Sequence, residues 1–261
     1  MKNLIKKILK GPYFFLKNLG FKPKKIKSLK NFNRFRKEKK LWLKKGGRIT
    51  QENIVLFDYE SVAGNNKGHY FHQDLIVAKL IKENQPERHL DIGSRIDGFV
   101  AHVASFRDIE VGDIRKLEKS EHENIKFIQL DIMNPQNLKK TDSLSCLHTI
   151  EHLGLGRFGD PIDVDGHLKG IENLVNLLKK NGRLYISFPI GQNDEVHFNA
   201  HRVFNPRSIF SYSSIKENME LERFDYVDDL GNLHKNIDLS EIKHDTKYGC
   251  GIYTFLRKTE N

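Results

Sequence analysis

Cysteine is scarce in this chain. Of 261 residues only Cys146 and Cys250 are cysteine, too few for a disulfide framework and too widely separated for a CxxC redox or zinc pair. No apolar run approaches the roughly 18 residues that a membrane span requires. The opening MKNLIKKILK breaks its apolar residues with a lysine every few positions, which is poor material for a signal-peptide core. These absences lead us to expect a reducing, cytoplasmic setting. Core-forming residues are not scarce: 38% are apolar and 30% charged, which excludes wholesale disorder. The length suits one domain of roughly 200–250 residues with an extension, or two small domains.

The formal net charge of +10 is unevenly spread. Residues 1–45 hold 17 Lys and Arg against one acid, Glu38, giving +16; the other 27 basic and 33 acidic residues leave the rest at −6. In the basic arm, Leu4, Ile5, Ile8 and Leu9 recur at helical spacing between lysines. Gly11-Pro12 breaks that pattern, and Tyr13 to Leu16 form an aromatic knot. Such a cationic, amphipathic stretch is expected to lie on an anionic membrane surface, peripheral to the inner face. Phosphate of nucleic acid is the competing partner and the less favoured one, since phosphate binding does not require aromatic and aliphatic side chains. A solvated extension packing on the body is the plainest alternative. The expected division is a basic extension over 1–47, a connecting segment over 48–69 and a folded domain over 70–261.

Beyond the arm, strand and helix patterns alternate. Residues 71–84 read as a helix stopped by Pro86, and 88–94 as a short buried strand ending in a glycine turn. Residues 98–106 read as a helix, and 109–115, 125–132 and 143–150 as strands. The stretch 167–182 reads as a helix with Gly182 as its stop, followed by a strand over 183–190. MELERFDYVDD and YGCGIYTFLRK read as a closing strand pair. Strands separated by helices of 10–15 residues predict a doubly wound, mostly parallel α/β sheet of Rossmann type.

In such a sheet ligands bind at the carboxyl ends of the strands. The segments expected there are DIGSRIDG (91–98), GDIR (112–115), LDIM (130–133), HTIEHLGLGRFGD (148–160) and FPIG (188–191). Asp91 precedes the first glycine turn. Asp113 ends the second strand, a position from which a carboxylate grips ribose hydroxyls, and Asp131 ends the third, where an acid holds an adenine amino group.

These segments resemble the motifs of class I S-adenosylmethionine-dependent methyltransferases. LDIGSRIDG looks like their first motif, GDIR their second-strand acidic motif, LDIM their third, and KKNGRLYISFP the hairpin into their fifth strand. HTIEHLGLGRFGDP with the later NAHRVF resembles an uncharacterised methyltransferase-like bacterial family associated with surface polysaccharide genes. The resemblance covers residues 70–258. It implies S-adenosyl-L-methionine as cofactor, held by Asp91, Gly93, Ser94, Arg95, Gly98, Asp113 and Asp131. The glycine loop departs from the family pattern: only Gly93 and Gly98 flank Ser94-Arg95-Ile96-Asp97, and Arg95 is placed to meet the cofactor carboxylate.

Several local patterns are decoys. GLGRFG (154–159) matches a dinucleotide fingerprint but follows the fourth strand and meets Asp160-Pro161 instead of a helix. HTIEH matches the H-x-x-E-H zinc motif, whose histidines must share a helix, whereas a strand precedes it. Asp163 and Asp165 match a transferase metal pair only as a three-residue pattern. Methyl transfer to a hydroxyl needs a positioned acceptor and a base. His152 is the chemically suited base, with Glu151 and Asp160 beside it. His197, Asn199, His201 and Arg202 are expected to line the acceptor side, and no metal is expected.

The resulting expectation is an O-methyltransferase acting on a sugar or glycan intermediate, small or lipid-linked, near the membrane. An inactive methyltransferase-like module of glycan assembly and an RNA methyltransferase are the alternatives; no N/D-P-P-Y/F turn follows the fourth strand, which weighs against the RNA enzyme. Residues 1–45 should co-sediment with anionic vesicles in preference to RNA, and the reverse preference would reassign the arm to nucleic acid.

Overall fold

The structure, a computed structural model, describes residues 27–136, 138–243 and 245–259. The helix and aromatic knot expected over residues 4–16 lie outside them. The chain forms two units, Met1–Asn65 and Asn66–Asn261.

In the first unit a 3-10 turn, Ser28–Asn31, leads into α1 (Phe32–Lys44). None of the α1 residues is buried, and Leu41, Trp42 and Leu43 are about half exposed. Polar contacts brace the helix. Arg34 donates to Glu38 one turn on at 2.8 Å, and the Tyr59 hydroxyl donates to the other Glu38 oxygen at 2.5 Å. The Arg34 guanidinium lies 4.3 Å from the Tyr59 ring centre. Exposed pairs of this kind fix geometry more than they stabilise.

The second unit is a sheet covered on both faces. Its strands are β1 (His89–Ile92), β2 (Ile109–Asp113), β3 (Ile125–Gln129), β4 (Thr141–Leu147), β5 (Leu178–Ile190), β8 (Met219–Val227), β9 (Leu233–His234) and β10 (Gly249–Arg257). Their order is β3-β2-β1-β4-β5-β10-β8-β9. β1 to β5 run parallel, and β10 lies antiparallel between β5 and β8. This is the mostly parallel, doubly wound sheet that the strand–helix alternation predicts. The closing strands pair with each other, and the chain-last strand sits inside the sheet. A separate hairpin, β6 (Glu195–His197) with β7 (His201–Val203), is not apparent in the sequence pattern.

Side chains alternate between the two faces as the strand period of 2 demands. Leu90 and Ile92, Leu144 and Cys146, and Leu184, Ile186 and Phe188 enter one cluster, which α4 (Gly166–Leu177) covers with Ile171, Leu174 and Val175. The other face carries Val111, Leu147 and Tyr185 under α2 (His69–Asn84), which contributes Val77, Ala78 and Ile81. Phe99, Val100 and Val103 complete that layer from a π-turn, Ile96–Val100, running into the short α3 (Ala101–Ala104). The last short helix, α5 (Ser213–Asn218), buries Ile215.

The end of the helix expected over 167–182 differs from the sequence reading. α4 stops at Leu177, not Gly182, and Lys179 to Gly182 belong to β5. Leu178 is drawn into the ladder opposite Thr141, and Arg257 donates to the carbonyls of Val175 and Leu178 at 2.5 and 2.6 Å, satisfying the helix end. The left-handed residue is Asn181 (φ 61°) rather than a glycine.

Phe188 is buried where the layers meet. Its ring stacks on Tyr253 at 5.0 Å and meets Phe204 edge-on at 5.0 Å. Phe188→Ala should cost about 3–5 kcal/mol of unfolding free energy, read from urea denaturation. A loss below about 1 kcal/mol would mean that the neighbouring rings refill the space.

Candidate active site

The chain reverses its direction of sheet growth between β1 and β4, which lie side by side. The loops leaving their carboxyl ends diverge there and open a cleft of about 260 Å³. Gly93 makes the first turn. Its φ of +71° suits glycine, and a Cβ there would stand 2.6 Å from the Thr149 methyl on the β4 side. The Gly93 N–H continues the ladder to the Gly112 carbonyl at 2.8 Å, so the turn is backed by sheet up to the cleft.

Beneath that turn lies Asp91, with no solvent exposure. It accepts from the Ser145 hydroxyl at 2.5 Å, the Ser94 hydroxyl at 2.7 Å and the Ser94 N–H at 3.1 Å. The Ser94 hydroxyl oxygen in turn accepts from Leu147 N–H at 3.3 Å. Burial pushes the Asp91 carboxyl up to about 7 against these hydrogen bonds. His89 continues the row, its ring nitrogens 2.7 and 3.1 Å from the Ser143 and Ser145 hydroxyls. Burial lowers its pKa to about 3, so the ring is neutral. Asp91 and Ser94 therefore shape the floor; neither lines the cleft. Gly98 does not line it either. Its missing Cβ leaves room for the Asp74 carboxyl of α2, which would lie 2.7 Å from it.

The β2 and β3 ends form one wall. Asp113 lines the cleft, but Arg115 grips both its oxygens, at 2.9 Å through Nε and 2.7 Å through Nη2. Asp131 lines it too, with one oxygen accepting the Met133 N–H at 2.9 Å. Arg95 lines the opposite rim, paired with Asp97 at 2.9 Å and 5.2 Å from the Tyr70 ring centre.

The β4 loop supplies the acid–base groups. His148 takes a left-handed conformation (φ 51°), and its Nδ1 lies 2.7 Å from Glu151 Oε1. A 3-10 turn, Ile150–His152, then places His152 Nε2 3.8 Å from the same oxygen. The His152 Nδ1–H donates to the Ala200 carbonyl at 2.7 Å, which leaves Nε2 as the ring's acceptor. Burial holds the His152 pKa below its ordinary value, so the ring is neutral near pH 7. Glu151 is buried, with Oε2 lacking a hydrogen-bond partner.

Asp160 lines the cleft but its carboxylate accepts from Gly156 and Phe158 N–H, both at 3.1 Å. It organises the GLGRFG loop. That loop ends without a helix, since α4 begins only at Gly166.

On the expected acceptor side, only His201 lines the cleft. Register sets His197 opposite His201 in the β6–β7 hairpin, with ring centres 5.1 Å apart, and His197 pairs outward with Glu195 at 2.8 Å. Asn199 is the left-handed turn residue of that hairpin (φ 60°). Arg202 is buried and donates to the Leu153 and Val164 carbonyls at 2.6 and 3.4 Å. It therefore ties the hairpin to the β4 loop and lies outside the cleft lining.

Sequence reasoning overlooked Tyr70, Arg115, His148, Thr149, Phe158 and Tyr248, all of which line the cleft. Arg115 and His148 stood inside quoted motifs. Tyr70 and Tyr248 come from a helix start and a strand approach that carry no local signal.

A model of the family described as Caenorhabditis protein of unknown function, DUF268, matches residues 104–258. No curated protein matches the chain. Among solved structures, an S-adenosylmethionine-dependent methyltransferase from Clostridium acetobutylicum ATCC 824 is similar with a TM-score of 0.50 and 16% identity. That likeness covers 73% of this chain and 92% of that one. N-methyltransferase NodS from Bradyrhizobium japonicum WM9, solved with S-adenosyl-L-homocysteine, has a TM-score of 0.50 and 13% identity over 80% of this chain and 94% of its own. The [4+2]-cyclase SpnF has a TM-score of 0.52 and 12% identity over 76% and 86%. At these identities the likeness fixes the fold, and the cyclase illustrates that reaction is decided by the site.

The raised Asp91 pKa has a signed consequence. The folded state holds this proton up to about pH 7, while the unfolded chain releases it near pH 4. Stability from this group is therefore lost as pH rises from about 4 to 7, by up to about 1.4 kcal/mol per unit. Urea unfolding of wild type minus Asp91→Asn across pH 4–8 should show that slope, and a flat difference would place the Asp91 pKa near its ordinary value.

Proposed function

The chain belongs to the DUF268 family, whose model matches more than half of it, and we propose that it is an S-adenosylmethionine-dependent methyltransferase. One observation carries the reading: a single cleft at the switch point collects the Gly93 turn and the strand-end carboxylates of Asp113 and Asp131. The residues fit such a cofactor. Gly93 gives backbone access, Asp113 offers acceptors for ribose hydroxyls, and Asp131 with its loop suits an adenine edge. Arg95 suits a carboxylate. When bound, the cofactor supplies an electrophilic methyl group.

The chain's own part is to position an acceptor and take its proton. His152 is built for that role: neutral, oriented by the Ala200 carbonyl, and with Nε2 left to accept. Glu151 faces both His148 and His152 and stabilises whichever ring is protonated. It is a positioning residue. His201 Nε2 and Glu151 Oε2 are buried polar atoms without partners, which favours a polar, hydroxyl-bearing acceptor. A sugar or glycan intermediate meets that need. Its delivery at an anionic membrane surface by residues 1–45 is part of the same proposal and is supported by the +16 charge of that segment.

A second reading, a methyltransferase-like module without turnover, draws on the Arg115–Asp113 pair, which occupies both oxygens intended for ribose. Calorimetric titration with S-adenosyl-L-homocysteine separates them. Binding is expected, weakened roughly 10- to 100-fold by Asp113→Ala through loss of charge-assisted hydrogen bonds. Arg115→Ala should keep or tighten binding, because it frees the carboxylate. No binding at millimolar ligand by the folded protein would overturn the methyltransferase reading.

A further inference from the structure

We propose that His69, His148 and Cys250 form a zinc site in the cleft wall, where His148 also lines the cleft, independent of the methyl-transfer reading. The three residues come from the start of α2, the loop after β4 and the start of β10. One ligand atom from each lies within 4.8 Å of the other two. Tetrahedral zinc with nitrogen bonds of roughly 2.0–2.1 Å and a sulfur bond of about 2.3 Å needs ligand separations of roughly 3.4–3.7 Å. A closure of about 1 Å therefore completes the site.

Three further observations point at a ligand. First, His148 Nε2 is buried and has no hydrogen-bond partner, although the side chain is only 4% exposed. An orphaned imidazole nitrogen in a buried site is an unmet requirement. Second, His148 Nδ1 is already held by Glu151 Oε1 at 2.7 Å. A carboxylate on the far nitrogen is the arrangement that orients a metal-binding imidazole and strengthens its donor atom. Third, the His148 ring lies beside that of His69, their centres 5.2 Å apart, with the His148 backbone in the left-handed region (φ 51°).

The donor set selects the metal. Two imidazole nitrogens with one thiolate are borderline-soft ligands that suit zinc and do not suit magnesium or calcium, which demand oxygen. Cys250 is fully buried and free of disulfide, with weak sulfur contacts to Gln73 Oε1 at 3.8 Å and the Gly251 carbonyl at 3.6 Å, and it interacts with the His148 ring. On binding, the Cys250 S–H proton passes to solvent and the thiolate sulfur bonds the ion. Three protein ligands leave a fourth position for water. The ligands differ from an H-x-x-E-H pair: His152 is not among them, and Glu151 acts from behind His148.

The test uses the full-length protein, stripped with chelator and titrated with zinc alone against a chromophoric competitor, and in parallel with cobalt. One ion per chain is expected, with an intense thiolate-to-cobalt charge-transfer band. Cys250→Ser should abolish that band, His148→Gln should lower zinc affinity at least 100-fold, and Cys146→Ser should leave both unchanged. No uptake at millimolar zinc, a cobalt spectrum without the thiolate band, or a band that survives Cys250→Ser would overturn the proposal. If a variant fails to fold, the wild-type cobalt spectrum decides: without a thiolate band the site does not exist.

Discussion

A carboxyl group placed at the centre of a buried sheet must be surrounded by donors or the fold does not form. Asp91 imposes that demand here, and the way it is met organises the whole site. Ser145 answers from β4, and Ser94 answers from the loop after β1 with both hydroxyl and backbone. Because Ser94 also receives the Leu147 N–H, the two loops that enclose the cleft are fastened to one another through a single side chain. The neutral His89 extends the network between Ser143 and Ser145. The polar row runs along one sheet face while Leu90, Ile92, Leu144 and Cys146 pack on the other. Rigidity at the switch point is therefore bought with polar satisfaction, not with apolar bulk.

The β4 loop repeats the theme with a second buried acid. Glu151 sits between two histidines that differ in their surroundings. His148, in a left-handed conformation, lines the cleft and lies close to His69 and Cys250. His152, turned by one 3-10 step, faces the cleft and is clamped by a carbonyl from the hairpin loop. Arg202 reinforces that clamp by holding the Leu153 and Val164 carbonyls. The hairpin thus supports the acid–base groups and contributes only His201 directly to the cleft.

How much of this was legible in the sequence depended on range. Gly93, Asp113 and Asp131 stand out because each follows a short apolar run, and a strand end is a local property. Asp91, inside β1, and Gly98, in the turn that follows, stand out as parts of the same LDIGSRIDG motif, yet their side-chain space points away from the cleft, which only packing against Ser145 and Asp74 decides. Leu178 satisfies both a helical face and a strand ladder, so its assignment turned on Arg257, almost 80 residues later. The β6–β7 hairpin was hidden because its turn uses Asn199 instead of an Asn-Gly pair. Arg202 looked like a ligand hand because exposure of an arginine is the usual condition. The grouping of His69, His148 and Cys250 joins segments that no spacing rule connects.

The ion pair between Arg115 and Asp113 makes the cleft a competition. Arg115 is half exposed whereas Asp113 is largely covered, so the guanidinium can leave for water while the carboxylate stays in place. Any ligand that uses Asp113 as an acceptor meets a binding-competent cleft only in the fraction of molecules whose pair is open, and its apparent dissociation constant is multiplied by the inverse of that fraction. Salt screens the pair and enlarges that fraction. A neutral diol should consequently bind more tightly as ionic strength rises, the reverse of the usual behaviour of a charged pocket. For any such ligand the guanidinium would act as a built-in competitor that raises the apparent dissociation constant without changing the shape of the binding curve.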